Sequence, residues 1–208
     1  MLHYSTVEPA TLVILRKLIA IPELSSFYLV GGTNLSLRYG HRISVDLDLF
    51  STKDFDTDSL IKILEANFTG LSYKSNTNPV GLFCFIDNVK VDFVRHHNFK
   101  MIDEEINLEG IRMFGDKDII AMKITAILRR AQKKDFFDVA ELLKKYSLKQ
   151  MIAFYQTKYP SQMLAISIPH AITYFEDAEQ SENPVSLIGE TWESVKKSIK
   201  KSVRDYLA

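Results

Sequence analysis

The chain has 208 residues, 46% hydrophobic and 25% charged, and its 26 basic residues are balanced by 26 acidic ones. That length buries a full core as one compact domain or two small lobes, and a formal net charge of zero excludes a nucleic-acid surface built on global charge, leaving only a local patch. No apolar run approaches a bilayer span, and MLHYSTVEPA lacks a basic region followed by an apolar one, so neither a membrane nor a secretory route is expected.

In chain order, residues 5–20 carry apolar positions at helical spacing (Leu12, Leu15, Ile19), with Pro9 suited to a first turn and Pro22 as a stop. Phe27–Val30 is an apolar run that predicts a short buried strand. Gly31, Gly32 and Thr33 follow, then about two helical turns from Asn34 to Tyr39, closed by Gly40. A second strand is predicted over Ile43–Phe50. It carries Asp46 and Asp48 two positions apart, so the period of two sends both carboxylates to one face. Paired carboxylates repel unless a cation sits between them, and a hard divalent metal is the usual one. Glycines at a strand-to-helix turn bring backbone N–H groups and a positive helix end close to an anion. A lone Asp-x-Asp is most often a solvated strand end and a lone Gly-Gly most often a tight turn. In this order they point together to a metal-bound nucleoside triphosphate.

Ser51–Asp58 reads as an acidic loop and Ser59–Phe68 as a helix. Strands are predicted at Leu71–Lys74, Gly81–Ile86 and Lys90–Arg95, with Asp87-Asn88 as the hairpin turn between the last two. Alternation sets Asp92 on the face opposite Val91 and Phe93, either as a further site carboxylate or as a partner of Lys90 or Arg95. Cys84, among Leu82, Phe83, Phe85 and Ile86, reads as buried core. His96 and His97 adjoin on a strand and so face apart, poor joint metal ligands. Met101–Met113 is a linking stretch that includes a strand ending near Phe114. Asp116–Lys133 is a long helical pattern with Asp116 as N-cap and Lys123 interrupting its apolar surface. Lys134-Asp135-Phe136-Phe137-Asp138 then leads into a helix through Lys145. Leu148–Lys158, Ser161–Phe175 and Glu190–Tyr206 read as further helices, the last two separated by a polar loop at Ser181–Pro184. The final helix sets Val195, Ile199 and Val203 on one face and Lys196, Lys197, Lys200, Lys201 and Arg204 elsewhere. Such a face is usually just solvated; where RNA is a substrate it is a phosphate-tracking patch. There is no internal repeat, zinc spacing or P-loop ending.

The run Gly31 to Phe50, GGTNLSLRYGHRISVDLDLF, resembles the first motif of polymerase-β-type nucleotidyltransferases. More narrowly, its GHRxSxDxDxF part (Gly40 to Phe50) resembles the AbiEii/AbiGii toxins of toxin–antitoxin and abortive-infection systems. The resemblance implies an α+β fold: a polymerase-β-type core with a small mixed sheet and flanking helices over residues 1–115, and a helical C-terminal lobe over 116–208. It implies transfer of a nucleoside monophosphate to a hydroxyl with release of pyrophosphate; the single core cysteine, with no bilayer-length run and no secretion signal, fits a cytoplasmic setting. Asp46, Asp48 and Asp92 would hold Mg²⁺ or Mn²⁺, with Asp92 also helping to deprotonate the acceptor. Gly31, Gly32, Thr33, Arg42 and Ser44 would surround the nucleotide, Lys123 would meet phosphate as a point charge, and Asp135 would join the catalytic set. The family pattern often has an arginine shortly before Lys-Asp. Gln132 occupies the nearest such position here, which leaves Arg129 and Arg130 as candidates. The implied acceptor is RNA, a tRNA 3′ end, and the implied partner is a cognate antitoxin; neither a membrane nor a DNA specificity is implied.

Two other classes compete. Metal-dependent glycosyltransferases also use Asp-x-Asp, but need a nucleotide-binding βαβ region of about a hundred residues before it, where this chain has only forty-five. A non-catalytic binding module on the same fold predicts lost carboxylates, and all three are present. Within the family's own fold, an antibiotic-type nucleotidyltransferase acting on a small molecule is the remaining alternative.

Overall fold

In the computed structural model, which describes residues 1–208, Phe27–Val30 forms strand β1, buried throughout as its unbroken apolar run requires. Its antiparallel neighbour is β2 (Leu47–Ser51), which pairs parallel with β5 (Val89–Arg95). Strand β4 (Gly81–Ile86) meets β5 through the Asp87-Asn88 turn, where both residues take positive φ, and β3 (Leu71–Tyr73) closes that edge. Beyond β1, β7 (Ile111–Met113) runs parallel to it and carries β6 (Ile106–Leu108). The seven-stranded sheet has the order β3-β4-β5-β2-β1-β7-β6.

The two faces of this sheet have different covers. On one, α1 (Pro9–Ala20) and α3 (Thr57–Asn67) pack Leu15, Leu18, Leu60 and Leu64 against Leu29, Leu47, Val91 and Phe93. On the other, Tyr28 and Val30 of β1 and Leu35 of α2 (Gly31–Tyr39) join a helical lobe. That lobe comprises α4 (Asp116–Arg130), α5 (Lys133–Leu143), α6 (Leu148–Lys158), the short α7 (Ile168–Ala171) and α8 (Glu176–Glu179), and α9 (Trp192–Leu207). The apolar face of α9, Val195, Ile199 and Val203, is buried there. The lobe covers this face of the sheet over β1 and leaves it open over β4, where Phe83 and Phe85 are exposed. A cleft follows from that half-cover. The architecture is the expected α+β one, a mixed sheet with flanking helices and a helical C-terminal region.

Several boundaries differ from expectation. Strand β2 begins at Leu47, not Ile43, because residues 42–46 bond elsewhere: Ser44 bridges to Val7, and Arg42 to Ser186. Helix Ser161–Phe175 shrinks to α7, since Met163 and Ile166 face solvent and no core stands there to fix a helix. Gly115, not Asp116, is the N-cap of α4. Asp116 instead pairs with Arg38 at 2.8 Å and accepts from Tyr146 at 2.8 Å. The linking stretch holds a hairpin, β6–β7, turning at Glu109-Gly110, both with positive φ.

Candidate functional site

Leu47 and Leu49 point into the core, so alternation sends Asp46 and Asp48 to the open face. Asp46 stands one residue before β2 yet keeps this direction. Asp48 pairs in register with Asp92 of β5, which sets two acids from parallel strands side by side. Lys90 Nζ lies 2.6 Å from Asp92 Oδ2, and Lys134 Nζ lies 3.5 Å from Asp46 Oδ2. Neither lysine is within ion-pair distance of Asp48. Burial, and then the charge of Asp92, push the Asp48 carboxyl above its ordinary range. Asp92 Oδ1 is buried without a hydrogen-bond partner. A divalent cation would relieve both the crowded charge and the orphaned oxygen. No three His, Cys, Asp or Glu side chains stand close enough to enclose a metal unaided. Mg²⁺, however, is commonly held by one or two carboxylates and completes its shell with water and substrate phosphates. The acids therefore fit a metal that arrives with a triphosphate.

The glycine pair opens α2 directly and forms the other side of the site. Gly31 has φ +70°, and a methyl group there would lie 2.2 Å from Asp48 Oδ2. A methyl on Gly32 would lie 2.2 Å from Arg42 Nη2. Two charged groups thus press onto bare backbone, which only glycine allows. The buried Thr33 hydroxyl contacts Ser44 Oγ at 2.8 Å and donates to the Asp46 carbonyl. It thereby fastens the irregular segment 44–46 to the start of the helix and sets where Asp46 projects. A cavity of about 230 Å³ opens here, with Gly32, Ser44, Asp46 and Asp48 on one side and Lys123, Arg130 and Lys134 on another. Residues 182–185 supply its outer wall. This strap is laced on by Ile43 N–H to Val185 O and Leu187 N–H to His41 O, both 2.9 Å. Sequence reasoning missed it, because a Ser/Glu/Asn/Pro stretch carries the composition of an ordinary connector.

Behind the cavity is a buried charge network. The spacing of three within α5 puts Asp135 and Asp138 on one helix face, and both are fully enclosed. Arg42 forks onto Asp138 through Nε at 2.7 Å and Nη2 at 2.8 Å, and His41 Nε2 adds a third contact at 2.7 Å. Lys123 Nζ joins Asp138 at 2.6 Å and Asp135 at 3.0 Å, while Arg130 Nε reaches Asp135 at 3.2 Å. Burial alone would push the Asp138 carboxyl up, but Arg42 and Lys123 hold it well below the usual range. Asp135 is fully buried and does not itself line the cavity; it touches Lys123 and Arg130, which do. Lys123 does line the cavity, with its ammonium engaged by the two acids. Of the two candidate arginines, Arg130 lines the cavity and Arg129 does not. His96 is buried among Phe50, Phe99 and Phe114, whereas His97 lies toward Asp54.

The family model described as nucleotidyl transferase AbiEii toxin, type IV TA system, matches residues 13–205. An uncharacterized protein of Aquifex aeolicus is 35% identical over 199 residues, covering 93% of this chain and 94% of its own. A crystal structure from H. pylori, provisionally described as a nucleotidyltransferase, superposes with a TM-score of 0.59 at 17% identity, over 95% of this chain and 94% of the other. MenT4, a nucleotidyltransferase toxin of Mycobacterium tuberculosis, does so with a TM-score of 0.56 at 14% identity, over 93% and 82%. At these identities the two superpositions speak for the fold alone. The family match, which runs from the first long helix to the last, carries the assignment: this chain is a nucleotidyltransferase and belongs to the AbiEii toxin family of type IV toxin–antitoxin systems.

Proposed function

We propose that the protein transfers a nucleoside monophosphate from a nucleoside triphosphate to a hydroxyl of RNA, at a tRNA 3′ end, and that a cognate antitoxin protein restrains it. The observation that carries this reading is the register pair Asp48–Asp92 beside the glycine turn, with one Asp92 oxygen left unpartnered. The triphosphate seats in the cavity, its phosphates toward the free N–H groups at the start of α2 and the cations Arg130 and Lys134. Lys123 adds positive field from behind, fixed in place by Asp135 and Asp138. Asp46, Asp48 and Asp92 would hold Mg²⁺ or Mn²⁺, which when bound supplies Lewis-acid neutralisation of phosphate charge. Asp92 accepts the proton of the acceptor hydroxyl. That oxygen bonds to the α-phosphorus, the bond from phosphorus to the bridging oxygen breaks, and pyrophosphate leaves with the electron pair. Arg42 and Thr33 act by holding segment 42–46 against α2. Chemistry on nucleotides and tRNA agrees with a cytoplasmic site of action, and no helix of the protein is long and apolar enough to cross a membrane.

The test is incubation of purified protein with each labelled nucleoside triphosphate, total RNA and Mg²⁺, with Asp92→Asn as control. Label should enter one RNA class from one nucleotide and disappear with a chelator or in the variant. If the wild type labels a small alcohol or aminoglycoside but no RNA, the acceptor is a small molecule and the RNA reading fails.

A further inference from the structure

Along β4 the residues GLFCFI alternate strictly. Leu82, Cys84 and Ile86 enter the core, while Phe83 and Phe85 stand outward, 39% and 47% exposed. Leaving two large rings in water on an inner strand forgoes burial that either would gain in a core. Their register explains where they are of use. Phe83 lies opposite Asp92 and Phe85 opposite Lys90, and Asp92 in turn lies opposite Asp48. One row across the sheet therefore reads Phe83, Asp92, Asp48, each about 4.8 Å from the next strand's member. An open groove of about 430 Å³ runs over both rings, Lys90 and Asp92, with Lys74 at its rim. The nucleotide cavity and this groove are related through the acid pair: Asp48 lines the first, and its register partner Asp92 lines the second.

We infer that this groove seats the acceptor as a single-stranded RNA 3′ end, with its last bases stacked on Phe83 and Phe85, its phosphates near Lys74 and Lys90, and its terminal hydroxyl delivered to Asp92. The inference rests on the RNA-acceptor reading above and adds to it the surface that does the binding. Sheet faces that display aromatics beside lysines hold unpaired bases by stacking, which tolerates sequence because every base has a π face. A duplex offers no such free faces. Lys90 fits this arrangement: it neutralises Asp92 when the groove is empty, and it is exposed enough to swing to a phosphate when the groove is filled.

The experiment uses the full chain and a fluorescent single-stranded oligoribonucleotide with a free 3′ hydroxyl. Phe83→Ala with Phe85→Ala should weaken its binding about tenfold or more and raise the apparent KM for RNA, while KM for the triphosphate stays as in wild type. Phe83→Leu with Phe85→Leu keeps an apolar surface without aromaticity and should show most of the same loss. Phe83→Tyr with Phe85→Tyr should restore binding. Thermal unfolding of all three pairs should match wild type, since the rings contribute little to the core. Wild-type binding and labelling in both the alanine and leucine pairs would overturn the inference and leave the RNA reading standing. A wild-type enzyme that labels no RNA would remove both. If the pairs label RNA normally but no longer bind the antitoxin encoded alongside, the groove is a protein-docking surface and the inference is likewise overturned.

Discussion

Asp48 is held in a state that suits a bound cation better than an empty site. A carboxyl whose pKa rises on folding weakens the native state at neutral pH. Asp48→Asn should therefore cut nucleotide transfer by orders of magnitude while leaving the unfolding midpoint in chelator unchanged or higher. Near wild-type turnover would take this residue out of the mechanism. Gly32→Val should weaken triphosphate binding in a calorimetric titration, because its side chain would meet the Arg42 guanidinium and block backbone approach. Unaltered affinity would reduce the glycine pair to a turn. His96 supplies a prediction about pH. Burial, with Lys158 adding to it, pushes its pKa down to about 3. Below about pH 6.5 the unfolded chain takes up a proton that the folded one refuses, so stability falls by about 1.4 kcal/mol per pH unit on the way down toward 3. His96→Phe suits its aromatic surroundings and should flatten that slope; denaturant midpoints at pH 7 and pH 5 would show it. An unchanged slope would mean the imidazole is not the acid-sensitive group.

At the scale of elements, the packing of α5 against α2 and segment 41–46 depends on buried charge. Removing the Asp138 carboxylate strands Arg42 and Lys123 without their common partner. Asp138→Ala should cost about 3–5 kcal/mol in denaturant unfolding and loosen triphosphate binding through Arg42, whereas the exposed Asp54→Ala should do neither. Elements with strong local signals were legible in the sequence. Phe27–Val30, the Gly40 stop with φ +69°, Gly81–Ile86 and Leu148–Lys158 need little beyond their own residues. The site was legible to the extent that alternation fixes direction, as for Asp48 and Asp92. What depends on distant chain was not. Ile43–Asp46 has strand composition but no strand neighbour; Lys123 has the type and spacing of a phosphate contact, yet α5 brings two acids to it. The outward turn of Phe83 and Phe85 was written in the alternation of β4, but an all-apolar run reads as core.

At the scale of the whole molecule, a neutral chain must gather charge locally to hold a polyanion. Lys196 is engaged with Glu179 and Glu193, but Lys197 and Lys201 are exposed and one turn apart on α9. Lys197→Glu with Lys201→Glu should raise the apparent KM for RNA and flatten its salt dependence, without altering triphosphate affinity. An untouched salt slope would make this face an ordinary solvated one.

The strap at 182–185 also has a meaning in time. Every other residue lining the cavity is synthesised before it, the acids and glycine turn by more than a hundred residues. A growing chain stopped at residue 180 lacks both that wall and α9, whose apolar face completes the core of the lobe, and should retain a triphosphate far less well than the full chain. Filter retention of labelled nucleotide on stalled and released chains would measure the difference.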